Sequence, residues 1–236
     1  MRQVMEPQRN IGLGHSGSLR ASQPSPKAGG RAVKLESALE RDYCCLLEFD
    51  LQVSSYVEQP ITLEVEALTD TGRAGRYTPD FFVQYAASAK RRPALIEVKY
   101  RSDLRKKWTQ LKPKFRCAAA YAARQGWEFR LVTEVEIQTP YLKNVKFLSG
   151  YRPQALPVIR VEYARLLLEC IAQLDETTPQ EVLVVAFADS DRRTELLPVL
   201  WQLVATGQVG CNLLLPLTMS SAIWSIDADD TLELYK

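Results

Sequence analysis

The stretch Tyr77-Thr78-Pro79-Asp80-Phe81-Phe82-Val83, followed after a turn by Leu95-Ile96-Glu97-Val98-Lys99, decides how the chain is read. Side chains alternate faces along a strand, so Glu97 and Lys99 project to one side while Ile96 and Val98 face a core. Asp80 begins the preceding strand and lies beside them if the two strands form a hairpin. Two acids and one lysine then converge. Hard carboxylate oxygens of this kind hold Mg2+, which keeps several waters and asks for few protein ligands beside a substrate phosphate. A metal held in this way lowers the pKa of a bound water and stabilises charge developing on a phosphodiester. Lys99 would orient or help activate that water, or offset the charge. Singly these features are common, since an Asp after Pro is often a turn residue and Glu-x-Lys a routine strand pair. Their combination, with Glu97 17 residues after Asp80, apolar flanks and a basic helix to follow, points to phosphodiester chemistry.

Working outward, residues 53–58, 61–67, 77–85 and 94–100 read as strands, with turn signals at 70–75 and 87–93. Before them, Leu35, Leu39, Tyr43, Leu46 and Leu47 recur at three- and four-residue steps, predicting an amphipathic helix over 33–47. Asp103 is placed to cap a long helix reaching Ala123, broken or kinked near Pro113 and ended by Gln125-Gly126. Residues 127–133 read as a further strand. The order predicts an α/β layer on a mixed sheet flanked by helices, over residues 31–150. Residues 1–30, rich in Gly, Ser, Pro and Gln, read as a disordered tail. Past a Pro- and Gly-bearing linker at 150–157, three apolar helices are expected at 158–174, 179–186 and 191–206, then two β-rich stretches around 209–215 and 223–226. Residues 151–236 therefore read as a small winged-helix-like domain.

The 236-residue chain has a net charge of only +2, and taken whole this speaks against a polyanion partner. By segment the picture reverses: residues 71–130 carry 15 basic and 4 acidic side chains, against 3 and 9 in residues 31–70 and 6 and 12 in residues 151–236. The basic block fits a nucleic-acid surface, the other reading being a solvated helix face. Arg105, Lys112 and Arg116 fall on one stripe of the long helix, with Arg101, Lys106 and Lys107 nearby. Such a stripe follows phosphates rather than reading bases. Arg73 and Arg76 flank the turn before Asp80, where contact with a scissile strand and solvation of the turn explain them equally. Trp108 reads as a packing residue, with stacking as the other reading. The acidic C-terminal part is expected to face a protein.

The single histidine, His15, excludes Ser-His-Asp and Cys-His triads and two-histidine zinc sites, which need a well-held imidazole. Five cysteines without a CxxC pair fit reduced thiols in a reducing compartment. Cys44 and Cys45, mid-helix, are expected to be small packing residues. No run approaches the roughly 18 apolar residues of a membrane span, and no apolar segment follows Arg2 and Arg9, so a cytoplasmic protein with no membrane partner is expected.

The stretches Leu35-Glu36-Ser37-Ala38-Leu39-Glu40-Arg41-Asp42, Leu46-Leu47-Glu48-Phe49-Asp50, Glu58-Gln59-Pro60, Arg76-Tyr77-Thr78-Pro79-Asp80-Phe81, Ile96-Glu97-Val98-Lys99 and Leu131-Val132-Thr133-Glu134 together carry a resemblance. Residues 31–150 resemble the PD-(D/E)xK nucleases of restriction-endonuclease-like fold, and more narrowly the TnsA-type endonuclease subunit of heteromeric transposases. The resemblance implies Glu40, Asp80 and Glu97 as metal ligands and Lys99 as the catalytic lysine. Some members have Gln at the position of Glu97; this chain keeps the carboxylate. The residues alone leave Glu36 and Glu40 open, although Glu36 is explained by a helix dipole and Glu40 is not. The implied activity is Mg2+-dependent, with Mn2+ able to substitute, and leaves a 5′-phosphate and a 3′-hydroxyl. The enzyme would cut the 5′ strands of double-stranded DNA at transposon ends, beside a DDE transposase subunit and under an AAA+ ATPase regulator. Two other readings use the same residues: a restriction or repair nuclease, or a non-catalytic DNA-binding scaffold on a decayed nuclease fold.

Overall fold

The computed structural model describes residue 7 and residues 21–65, 75–152 and 161–226. Arg73, His15 and most of the expected linker lie outside these. The chain divides into two compact units, Met1–Ile137 and Gln138–Lys236.

The first unit opens with β1 (Ala21–Pro24), a 3-10 turn at Pro26–Ala28 and β2 (Ala32–Leu35), which pairs antiparallel with β1. The tail expected over residues 1–30 therefore ends in ordered structure. Its anchors are polar: the buried Ser25 hydroxyl donates to Glu48, Lys27 Nζ donates to the Leu47 carbonyl at 2.8 Å, and Arg31 pairs with Glu58 at 2.5 Å. The expected helix start also moves. Val33 and Leu35 are buried on β2, with an extended alternation that shares its residues with the helical spacing. Helix α1 (Ala38–Phe49) begins only after Ser37, whose side chain accepts from the Glu40 amide.

Next come β3 (Val53–Glu58), β4 (Leu63–Val65), β5 (Gly75–Tyr77), β6 (Phe81–Tyr85), β7 (Ala94–Val98), α2 (Arg101–Arg124), β8 (Glu128–Val132) and the short α3 (Glu134–Ile137). The central sheet has the order β3-β6-β7-β8, antiparallel except for the last pair, which is parallel and joined through α2. This is the mixed sheet the element order predicts. The expected strand over 77–85 is two strands in two sheets, because Pro79 cannot donate to a ladder and the chain leaves β5's pairing with β4 at that point.

Every residue of β7 is buried, as in a sheet covered on both faces. Phe81 meets Tyr43 of α1 at a ring separation of 5.6 Å, while Phe82 packs with Leu95 and Ala122 of α2 and against Trp127 at 4.4 Å. Consecutive residues thus serve opposite layers. Helix α2 runs continuously through Pro113, and its irregular backbone lies earlier, at Lys107 (φ −117°, ψ 15°). Its N-cap is Tyr100, so Asp103 sits in the first turn instead of capping.

The second unit contains α4 (Pro140–Ser149), α5 (Val161–Leu174), β9 (Glu176–Thr177), α6 (Pro179–Ala186), α7 (Ser190–Ala205), β10 (Val209–Cys211) and β11 (Ile223–Ser225). The boundary expected at 150 lies instead before α4, whose start at Thr139-Pro140 resembles a break in sequence. Leu142, Val145 and Leu148 of α4 are buried, and Phe147 stacks edge-on against Trp201 of α7 at 5.4 Å, which ties the helix to this unit. Asn144 pins the loop after β10 by donating to the carbonyls of Leu213 and Leu215 at 2.8 and 2.7 Å. Helix α6 carries a full capping box between Thr178 and Glu181. The sheet has three antiparallel strands, β10-β11-β9, one more than the expected pair. Strand β9 is too short for a period to reveal. Among the described residues no helix is long and apolar enough to cross a membrane.

Candidate active site

The β6/β7 register pairs Phe81 with Ile96, and one further step sets Asp80 across from Glu97. Asp80 is held there by its neighbour strand, since Oδ2 accepts from the Val98 amide at 2.7 Å. Its carbonyl accepts from the Gln59 amide at 2.8 Å, fixing the other side of the residue. Glu97 and Lys99 share the α2-facing side of β7 with Leu95. Glu97 Oε1 lies 3.1 Å from Lys99 Nζ, and Oε2 accepts the Tyr77 hydroxyl at 2.7 Å. These residues line a cleft of about 590 Å3 together with Glu36, Thr62, Arg76, Thr78, Leu111 and Lys114. The convergence expected of Asp80, Glu97 and Lys99 is present.

The electrostatics are those of acids crowded around one ammonium. Desolvation raises Asp80 well above the ordinary carboxylate range, and the charges of Glu97 and then Glu40 push it further. Asp80 keeps some exposed surface where it opens on the cleft, but protein surrounds it elsewhere, so burial acts first. Burial pulls Lys99 down, yet Asp80, Glu97 and Glu40 together outweigh it and hold the ammonium above its usual range. Tyr77 is raised by burial and by Glu97, so its hydroxyl stays a donor.

Glu40 is 9% exposed and bound to its own helix start: Oε2 accepts from the Glu36 amide and Oε1 from the Ser37 hydroxyl, each at 2.8 Å. Burial raises its pKa, against those two hydrogen bonds. The expectation that a helix dipole explains Glu36 but not Glu40 is reversed. Because α1 starts at Ala38, Glu40 is the acid of the first turn, and Glu36 lies outside the helix on the cleft wall. Among the described residues no three His, Cys, Asp or Glu side chains stand close enough to form a ready-made metal cluster. The donor set still suits a divalent cation. Its ligands are hard oxygens, and acids outnumber the one lysine in a desolvated place, an excess of negative charge that such a cation relieves.

The basic residues sort by position. Arg76 and Lys114 line the acid cleft. Lys112 and Arg116 line a different groove beside β4. Arg105, Lys106 and Lys107 are exposed on the first half of α2. Arg101 is drawn away, its guanidinium 3.4 Å from Glu136 and its amide donating to Glu134. Trp108, expected to pack, is 47% exposed and touches Phe115 at a ring separation of 6.2 Å. Cys44 is buried as expected, its Sγ 3.0 Å from the Tyr56 hydroxyl, while Cys45 is half-buried. Tyr77, Ser37 and Lys114 were not singled out from sequence. Only Tyr77 had a signal, its place in the stretch before Asp80.

The chain matches two family descriptions: TnsA-like endonuclease N terminal over residues 50–134, and TnsA endonuclease C terminal over residues 136–213. Their junction falls beside the boundary between the two units. No curated protein matches the chain. With both parts matched in order across well over half of its length, the chain belongs to the TnsA-type endonuclease family, and its first unit has the restriction-endonuclease-like fold.

Proposed function

We infer that the protein is the DNA-cleaving subunit of a heteromeric transposase, hydrolysing the 5′ strands at the ends of a mobile element. The observation that carries this reading is the meeting of Asp80, Glu97 and Lys99 in one cleft walled by Arg76 and Lys114. Asp80 and Glu97 would hold Mg2+, or Mn2+ in its place, with Glu40 joining from α1. The ion supplies charge neutralisation and an activated water. Without metal the surrounding acids favour the protonated form of Lys99, which suits a donor. It donates to the attacking water or to the phosphate oxygens as negative charge builds. Tyr77 fixes Glu97 from the opposite oxygen, and Arg76 and Lys114 receive the backbone phosphates on either side. Arg105, Lys106 and Lys107 extend that contact along α2; Arg73 belongs to the same proposed set.

From α5 onward, the second unit's order of helix, strand, two helices and two strands supports a winged-helix-like reading. Its acidic balance suits a protein face, with the DDE transposase subunit and an AAA+ ATPase as the proposed partners, in the cytoplasm. The test is strand cleavage of transposon-end DNA with Mg2+ or Mn2+ in the presence of the partner transposase. Asp80→Ala should abolish 5′-strand cutting and leave 3′-strand cutting intact; wild-type 5′ cutting by that variant would sink the proposal.

A further inference from the structure

A second groove, of about 670 Å3, runs between α2 and β4, apart from the acid cleft. Its α2 wall is built on a single ridge: Trp108, Lys112, Arg116, Ala120 and Arg124 follow one another at four-residue steps. At 1.5 Å rise per residue, such steps set a side chain about every 6 Å along the helix. That is close to the distance between neighbouring phosphates on a nucleic-acid strand. Among the described residues Lys112, Arg116 and Arg124 have no acidic partner at salt-bridge distance. At its end stands Trp108, half-exposed and steadied at one edge by Phe115. The opposite wall, Glu64 and Val65, is acidic and apolar and repels phosphates toward α2.

We propose that this groove holds an unpaired DNA strand, its phosphates on Lys112, Arg116 and Arg124 and one base stacked on Trp108. The groove has the volume of a small-ligand pocket. A duplex is too wide for it, and its bases are already stacked on each other. An unpaired base offers a free face to an aromatic ring, and such stacking tolerates any sequence. The proposal deepens the nuclease reading and rests on it for the kind of nucleic acid: beside a cleft that cuts one strand, the groove is a seat for a strand freed from its complement.

The test is binding by the full chain without divalent metal, so that no cutting occurs, using a labelled oligothymidylate and a matched duplex. Oligothymidylate should quench the tryptophan emission of the wild type but not that of Trp108→Phe, which should bind it normally. Trp108→Ala should weaken oligothymidylate about tenfold, the scale of one base–aromatic stack, and leave duplex affinity within about twofold. The double variant Lys112→Ala/Arg116→Ala should weaken the single strand and flatten its salt dependence by about 1.4 in log–log slope. Undiminished oligothymidylate binding by Trp108→Ala, or an equal loss on the duplex, overturns the proposal. Asp80→Asn separates the two readings: if it binds oligothymidylate normally yet still cuts 5′ strands beside the transposase, the cleft assignment has failed and the groove stands.

Discussion

The Tyr77 hydroxyl and Lys99 ammonium grip the two oxygens of Glu97 from opposite sides, at 2.7 and 3.1 Å. Tyr77→Phe keeps the ring against Phe115 and deletes only the donor. Glu97, 3% exposed, is left with one fewer hydrogen bond in a place where water reaches poorly. The expected cost is about 1.5 kcal/mol of stability, read by urea unfolding. Divalent affinity and 5′-strand cleavage should fall together, by about tenfold, since Glu97 loses its fixed orientation. A variant as stable and as active as the wild type would mean that the Tyr77 contact does not position the acid.

The raised acids predict a pH signature opposite to that of salt-bridged carboxylates. Asp80 and Glu40 titrate above their ordinary values of 3.8 and 4.5, so the folded chain holds protons that the unfolded chain has lost. Metal-free stability therefore falls as pH rises from the ordinary carboxylate values through the raised ones. Lys99 works elsewhere, its contribution being lost only as pH climbs past its ordinary 10.5 toward its raised value. Asp80→Asn should then be more stable than the wild type at pH 8 without metal, by on the order of 1 kcal/mol. The gap should close on acidification and reverse when Mg2+ is added. Calorimetric melting at both pH values, with and without Mg2+, measures all of this. A metal-free wild type that gains stability from pH 5 to 8 relative to Asp80→Asn would contradict the crowding of acids.

Removing the ammonium exposes the same crowding from the other side. In Lys99→Met the acids lose the cation that offsets them, and metal-free stability should drop by about 1–3 kcal/mol. Millimolar Mg2+ should restore most of it, because the cation takes over the neutralising role. On the proposed role of Lys99 as donor to the water and phosphate, cleavage should not recover. Recovery of cutting with Mg2+ would reduce Lys99 to a structural counter-charge.

Much of the first unit is legible in sequence because its signals are local. The apolar and β-branched residues of 53–58, the apolar run of 94–98, the block from Tyr77 to Phe81 and the basic helix each state their own element. Asp80, Glu97 and Lys99 were legible for the same reason, as strand periodicity fixes which side each one takes. What escaped depends on packing. Val33 and Leu35 fit a helical and an extended spacing equally, and only the pairing of β2 with β1 decides between them. That choice moves the helix start to Ala38 and exchanges the roles of Glu36 and Glu40. Helix α4 escaped because Thr139-Pro140 looks like a break, while Pro at the first helical position opens a helix. Trp108 escaped because exposure is a property of the groove and not of the residue.

In the second unit, Gly210 pairs with Trp224 across β10 and β11, and the indole lies on the glycine. A Cβ at Gly210 would meet ring atoms at 2.3–2.8 Å, so the position requires glycine for space. Gly210→Ala should destabilise this unit by about 1–3 kcal/mol, as overpacking does, and shift Trp224 fluorescence. Mg2+ affinity of the first unit should be unchanged. Normal stability in that variant would show that the sheet yields without cost.

The choice between the two helix acids can be made with paired substitutions. Glu40 acts on both Asp80 and Lys99, which marks it as sharing their field, whereas Glu36 contributes chiefly through Glu40. Glu40→Gln keeps an amide oxygen to accept from the Glu36 N–H, while its amide nitrogen can only donate, to the Ser37 hydroxyl, so the start of α1 should survive with about 1 kcal/mol lost. If Glu40 swings from its cap toward the ion, this variant should lose Mg2+ affinity and at least about a hundredfold in 5′ cleavage, about 2.7 kcal/mol in the transition state. Glu36→Gln, on the cleft wall, should stay within a few-fold of wild type. The opposite pattern would make Glu36 the ligand and Glu40 a capping residue, its two hydrogen bonds then being its whole function. Isothermal titration of Mn2+ into both variants distinguishes a lost ligand from a displaced phosphate.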